Sequence, residues 1–136
     1  MQRSAFFTLL TTIIFGSCQK DKLIGPSDLL YNRWHLTQTR TLDSHVWQSR
    51  DTDAYYTIEY RQDGTVAYQR NGVTTPANCC APTKFNRQGI VVNYTDWVIC
   101  PTAFCATTKK TIITQLTDDL LELNDGYTIS QYEVAK

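Results

Sequence analysis

The chain has 136 residues, and its 13 Lys and Arg balance 13 Asp and Glu, so the formal net charge is zero. That length suits one domain. With 42% apolar, 12% aromatic and 19% charged residues, the composition argues against disorder, and the charge balance argues against a protein that grips the phosphate backbone of nucleic acid.

The first eighteen residues read as an export tag. Arg3 supplies a positive start, and Ala5 to Phe15 is an uncharged, mostly apolar run of eleven residues. A membrane-spanning helix needs about 20 such residues, whereas this length fits the apolar stretch of a signal peptide. Phe15-Gly16-Ser17-Cys18 resembles a bacterial lipobox, in which small residues let the peptidase approach the backbone and the thiol accepts the lipid. Fatty acyl chains such as palmitate on Cys18 then give a stable membrane anchor, since each buried CH₂ contributes about 0.8 kcal/mol. A plain secretory signal with an incidental Cys18 is the competing reading. Residues 19–27 form a tether. Its Gln19-Lys20-Asp21-Lys22 resembles the surface-export tags of Bacteroidota lipoproteins, with Lys22 where a second acidic residue is usual. The folded domain is expected over residues 28–136.

Ser27 to Tyr31 predicts one helical turn capped by Ser27 or Asp28. From there extended segments dominate. Trp34 and Leu36 open a first strand, and Val46-Trp47 a second. Tyr55 to Arg61 is rich in the aromatic and β-branched residues that strands favour. Asp63-Gly64 then turns the chain into Thr65 to Arg70, the best hairpin signal present. Asn71-Gly72 is a second turn pair. Cys79 to Phe85, broken by Pro82, Ile90 to Tyr94, and Trp97 to Ile99 are further strand candidates. Thr111 to Leu116 pairs with Leu120 to Leu123 through Thr117-Asp118-Asp119. Asn124-Asp125-Gly126 leads into Tyr127 to Val134. Short strands at such spacings predict an antiparallel sandwich or up-and-down barrel.

Setting Cys18 aside leaves Cys79, Cys80, Cys100 and Cys105, an even number in an exported domain and hence a disulfide framework. Pairing Cys79 with Cys80 requires a strained bridge between neighbours. Two cross-pairings with Cys100 and Cys105 remain open. Each bridge contributes about 3 kcal/mol in the chain-entropy picture. If Cys79-Cys80 is extended, one bridge faces inward and the other outward. A four-thiolate zinc site is the rival, but the usual C-x₂-C spacing is missing.

The order Leu30, Trp34-x-Leu36, Tyr56-Thr57-Ile58-Glu59-Tyr60, Asp63-Gly64-Thr65, Ile113-x-x-Leu116-Thr117-x-x-x-Leu121-x-Leu123, Tyr127 and Tyr132 resembles the lipocalin-like lipoproteins of Bacteroidota. That family usually has Gly two residues before the Trp, where this chain has Asn32, and the cysteines at 79–105 are an addition to its pattern. The resemblance implies an eight-stranded antiparallel up-and-down barrel, a calyx with Trp34 closing one end.

Motifs for chemistry are scarce. His35 and His45 stand apart from any H-E-x-x-H pattern, and His35 is expected as a surface histidine on the strand face opposite Trp34. No nucleophile elbow, Walker loop or dinucleotide fingerprint is present. Asp51-x-Asp53 and Asp118-Asp119 read as turn residues before calcium ligands. Asn93-Tyr94-Thr95 matches a glycosylation sequon but reads as a strand triplet. The aromatic residues carry the remaining signal. Tyr56, Ile58 and Tyr60 share one strand face, and Val66, Tyr68 and Arg70 fall together across the hairpin. Such a face packs a core or lines a small interior.

The sequence thus predicts a non-enzymatic lipoprotein, exported and lipid-anchored to the cell envelope at the outer membrane. It needs no cofactor or metal and has no nucleic-acid partner. It binds a small hydrophobic or amphipathic molecule, with Trp34, Tyr56, Tyr60, Tyr68, Trp97 and Tyr132 as the candidate ligand contacts. The alternative is a protein-interaction module, such as an exported protease or lysozyme inhibitor, that uses the disulfide-stapled stretch 76–106 against a protein partner.

Overall fold

The computed structural model describes residues 28–50 and 56–136. The export tag, Cys18, the tether over 19–27, and Asp51, Asp53 and Tyr55 lie outside the described residues.

The described residues are all-β. Ten strands form in chain order: β1 Arg33–Thr41, β2 Gln48–Ser49, β3 Tyr56–Tyr60, β4 Val66–Arg70, β5 Val73–Thr75, β6 Pro82–Gln88, β7 Val91–Trp97, β8 Lys110–Leu116, β9 Leu120–Asn124 and β10 Thr128–Val134. All pairings are antiparallel, in one sheet of order β5-β4-β3-β1-β10-β9-β8-β7-β6, with β2 against β1 off this path. The expected single turn capped by Ser27 or Asp28 forms, over the described residues 28–31, as one turn capped by Asp28 that does not continue into a helix; Ser27 lies outside the described residues. Asp28 Oδ1 accepts from the Leu30 amide at 3.0 Å, and the Tyr31 amide donates to the Asp28 carbonyl at 3.0 Å. These are the bonds an N-capping aspartate makes, but the turn stops after them, because β1 begins at Arg33.

Local turn chemistry explains the hairpins. Asp63 Oδ1 accepts from the Thr65 amide at 2.9 Å and its hydroxyl at 2.6 Å. Gly64 then takes a φ of 81° that favours glycine. Its carbonyl accepts from the Phe85 amide at 2.8 Å, and a Cβ at Gly64 would lie 3.0 Å from the Phe85 carbonyl oxygen. The β3–β4 turn therefore sits directly on β6. Asn71 and Gly72 both have positive φ, 51° and 75°, as a two-residue I′ hairpin between β4 and β5 requires. Gly89, with φ of 61°, makes the tight β6–β7 turn, which the sequence reading did not single out.

The eight-stranded closed barrel needs correction. There are ten strands, and the sheet curls without a continuous ladder between its ends. One bridge, Thr65 to Lys84, joins β6 to the β3–β4 turn, and the Tyr68 hydroxyl donates to the Pro82 carbonyl at 2.7 Å. Closure fails for a local reason. β5 ends at Thr75, the chain turns through 76–81, and β6 starts on a proline with no N–H to offer a ladder. Two strand boundaries also differ. The expected Ile90–Tyr94 strand runs on to Trp97 as the single β7, Val98 and Ile99 lie beyond its end, and the segment expected from Cys79 begins only at Pro82. Cys80 has φ of 68°, so Cys79-Cys80 is not extended.

One end of the curled sheet is plugged. Trp34 and Leu30 are fully buried, and Trp34 Nε1 donates to the Leu30 carbonyl at 3.0 Å. Burying a side chain such as Leu30 is worth about 1.5–3 kcal/mol. Asp28, buried beside them, pairs with the Arg87 guanidinium, while Arg87 Nε donates to the Gly89 carbonyl at 2.7 Å. The pair fastens the entering chain across the β6–β7 turn. Asn32 is not among the residues with positive φ, so this position does not need the glycine of the family pattern.

Candidate functional site

Opposite the Trp34 plug, the strands enclose an open-ended cavity of about 220 Å³. Alternation along each strand builds its wall. β3 contributes Ile58 and Tyr60, β4 contributes Val66 and Tyr68, β7 contributes Tyr94 and Trp97, and β10 contributes Ser130 and Tyr132. Thr111 and Leu123 complete the depth. Cys80, Pro82, Ala106 and Thr108 frame the mouth together with Asp125.

Two disulfides hold that mouth. Cys79 joins Cys100 and Cys80 joins Cys105. This selects one of the two cross-pairings, and with every described cysteine oxidised, the four-thiolate zinc reading falls. The loops they link continue the β6–β7 pairing, since the Cys80 amide donates to the Val98 carbonyl at 2.7 Å and the Val98 amide to the Ala81 carbonyl at 3.0 Å. Only the Cys80 bridge reaches the cavity wall; Cys79 is exposed.

Of the six candidate ligand contacts, Tyr60, Tyr68, Trp97 and Tyr132 converge on the cavity. Trp34 does not, because it belongs to the plug. Tyr56 does not either. It stands at the far end of β3, stacked on Tyr68 with ring centroids 6.0 Å apart and under the Arg70 guanidinium at 5.8 Å. Tyr94 was missed, although it follows Val92 at the two-residue spacing of a single strand face. His35 lies on the other face from Trp34, with Nδ1 3.0 Å from the Tyr56 carbonyl oxygen.

The interior is phenolic. The Tyr60 and Tyr94 hydroxyls share a hydrogen bond of 2.7 Å, and the Tyr60 ring meets Phe85 edge-on at 5.1 Å. Burial pushes the Tyr60 phenol well above its ordinary value of 10.0, reinforced by Tyr94. Burial likewise raises Tyr68 and Tyr132. Tyr94 is raised by burial too, against the opposing hydrogen bond from Tyr60. Thr111 is also buried, and its hydroxyl stands beside Tyr94 without a hydrogen bond of acceptable geometry. Among the described residues no group of three or more His, Cys, Asp or Glu is placed to hold a metal.

These shifts set an alkaline limit. Above pH 10 the unfolded chain sheds phenolic protons that the fold retains, so the unfolded state binds fewer protons and stability falls as pH rises. Below pH 10 the contribution is complete. Phenolate absorbance during an alkaline titration is expected to show Tyr60, Tyr68, Tyr94 and Tyr132 ionising together with loss of circular dichroism. Ionisation of these four near pH 10 in the intact fold would contradict the burial described above.

Several large apolar side chains are exposed: Phe104, on the loop between Cys100 and Cys105, fully so, and Val46, Val73, Ile99 and Tyr127 largely so.

No protein-family model, curated protein or solved structure matches this chain.

Proposed function

We propose that this protein is an exported lipoprotein, anchored through Cys18, whose curled, unclosed sheet serves as a lipocalin-like cup that holds one small amphipathic molecule and does not transform it. The observation that carries this reading is the cavity. It is closed at the Trp34 end, open at the other, and lined by aromatic and aliphatic side chains interleaved with hydroxyls and one carboxylate, a mixed wall suited to an amphipathic molecule. Its volume of about 220 Å³ lies below the roughly 300 Å³ at which drug-sized pockets begin, so the ligand is small.

Native mass spectrometry of the mildly purified full chain is expected to show one small adduct. A Ser130→Phe variant, which fills the space, should lose it. An unliganded wild-type chain that also takes up no small apolar or amphipathic probe would overturn the binding reading. The anchor is tested separately: Cys18→Ala should leave the membrane fraction and lose acyl label.

Phe104 favours a second reading. A fully exposed phenylalanine on a disulfide-linked loop loses little freedom on docking, as an inhibitor of an exported protease or lysozyme would require. A cavity that takes no ligand would favour this protein-binding role.

A further inference from the structure

We infer that the molecule held in the cavity is a small organic ammonium ion bearing a hydrogen-bonding group. This rests on the binding reading above and assigns the ligand its charge. Two independent features of the wall point to it.

The first is electrostatic. Five aromatic rings line a space of about 220 Å³, namely those of Tyr60, Tyr68, Tyr94, Tyr132 and Trp97. The faces of such rings are electron-rich and attract cations, most strongly where water is excluded. The one charged residue on the wall is Asp125, and no Lys, Arg or His is among the described lining residues. Asp125 Oδ1 is fixed by the amides of Tyr127 and Thr128, at 2.9 and 2.7 Å. From there its charge acts on the phenols of both Tyr94 and Tyr132. An anion entering this space would meet a carboxylate and a largely aromatic wall, with no cation on the wall to offset the carboxylate. A cation would meet attraction from both. Because burial keeps the phenols neutral well into the alkaline range, they offer uncharged rings and hydroxyl dipoles at neutral pH.

The second is a polar atom left over. Thr111 is 7% exposed and lines the cavity, yet the Tyr94 hydroxyl beside it is already bonded to Tyr60, and the Thr111 hydroxyl makes no well-formed hydrogen bond of its own. A buried hydroxyl left so is a standing cost to the fold. A purely apolar ligand would seal it off from water and leave that cost standing. A ligand carrying a hydroxyl or N–H group relieves it.

Choline, which has a trimethylammonium head and one hydroxyl, is the probe. Its control is the uncharged isostere in which tert-butyl replaces trimethylammonium. Calorimetric titration of the full chain at matched ionic strength is expected to show choline binding about tenfold or more tighter than the isostere. Asp125→Asn keeps an oxygen to accept from the Tyr127 and Thr128 amides, and should remove most of that preference. Tyr132→Leu should weaken choline about fivefold or more, with less effect on the isostere. Thr111→Val should weaken both, because both carry the hydroxyl. Circular dichroism confirms that each variant is folded. If the isostere binds as tightly as choline, the assigned charge is wrong while ligand binding stands. If neither binds but an apolar fluorescent probe does, the ammonium assignment again falls alone. If nothing binds, both fall.

Discussion

Arg87→Met is expected to destabilise the domain by about 3–5 kcal/mol, the range seen when a buried ion pair loses one member. Asp28 and Arg87 have side-chain exposures of only 2% and 12%, so the surviving carboxylate would be stranded without a counter-charge. Asp28 Oδ2 already lacks a hydrogen-bond partner, which leaves Arg87 as the group that compensates the charge. In a domain of this size the loss corresponds to a fall in Tm on the order of 10–20 °C. The double variant Asp28→Leu, Arg87→Met removes both charges together. It should recover most of the loss, short of about 1 kcal/mol for the Leu30 amide that Asp28 no longer caps. Denaturant unfolding of the two variants checks the sign. If the double variant is no more stable than Arg87→Met, the pair does not act as a coupled unit.

Loss of the disulfides is the second large effect, and the two bridges should differ in kind. Their sequence separations of 21 and 25 residues predict about 3 kcal/mol for each when removed alone. Against a typical stability of about 5–15 kcal/mol, losing both is expected to bring the domain close to unfolding. Cys79→Ala with Cys100→Ala should lower stability and leave ligand affinity nearly intact, because Cys79 is exposed and away from the cavity. Cys80→Ala with Cys105→Ala should lower both, because Cys80 lines the mouth. Denaturation of each pair variant, alongside titration with the ligand probe, separates the two outcomes. Equal effects on affinity would mean that the mouth responds to the loops as a whole.

The parts of this fold that were legible in the sequence are those set by neighbours a few residues apart. Asp63-Gly64 and Asn71-Gly72 announce their hairpins because few residue pairs accept such backbone angles. The run from Thr111 to Val134 reads correctly as three consecutive strands because its turns are short and polar. Four of the six candidate contacts reach the cavity because strand alternation fixes a residue's face. Alternation does not fix height along the strand, so Trp34 and Tyr56 were placed in the wall when one sits in the plug and the other beyond the cavity. The open seam was hidden as well. Whether β5 meets β6 depends on the path of residues 76–81, which the positive φ of Cys80 and two cross-links decide together. The partnership of Asp28 with Arg87 spans 59 residues, and no local pattern encodes it.

Arg33 and Val134 flank the Trp34 plug, and the Ala135 amide bonds to the Arg33 carbonyl at 2.9 Å. The first described residue and the carboxyl end therefore leave the domain on the same side, away from the opening. A reporter fused after Lys136, or a surface gripping the chain upstream of Asp28, would leave the entrance facing bulk solution. Under the lipid-anchor reading, nine residues from Gln19 to Ser27 reach at most about 30 Å. The bilayer would then lie beneath the sealed base, and solutes would arrive from the aqueous side rather than by lateral passage out of the lipid.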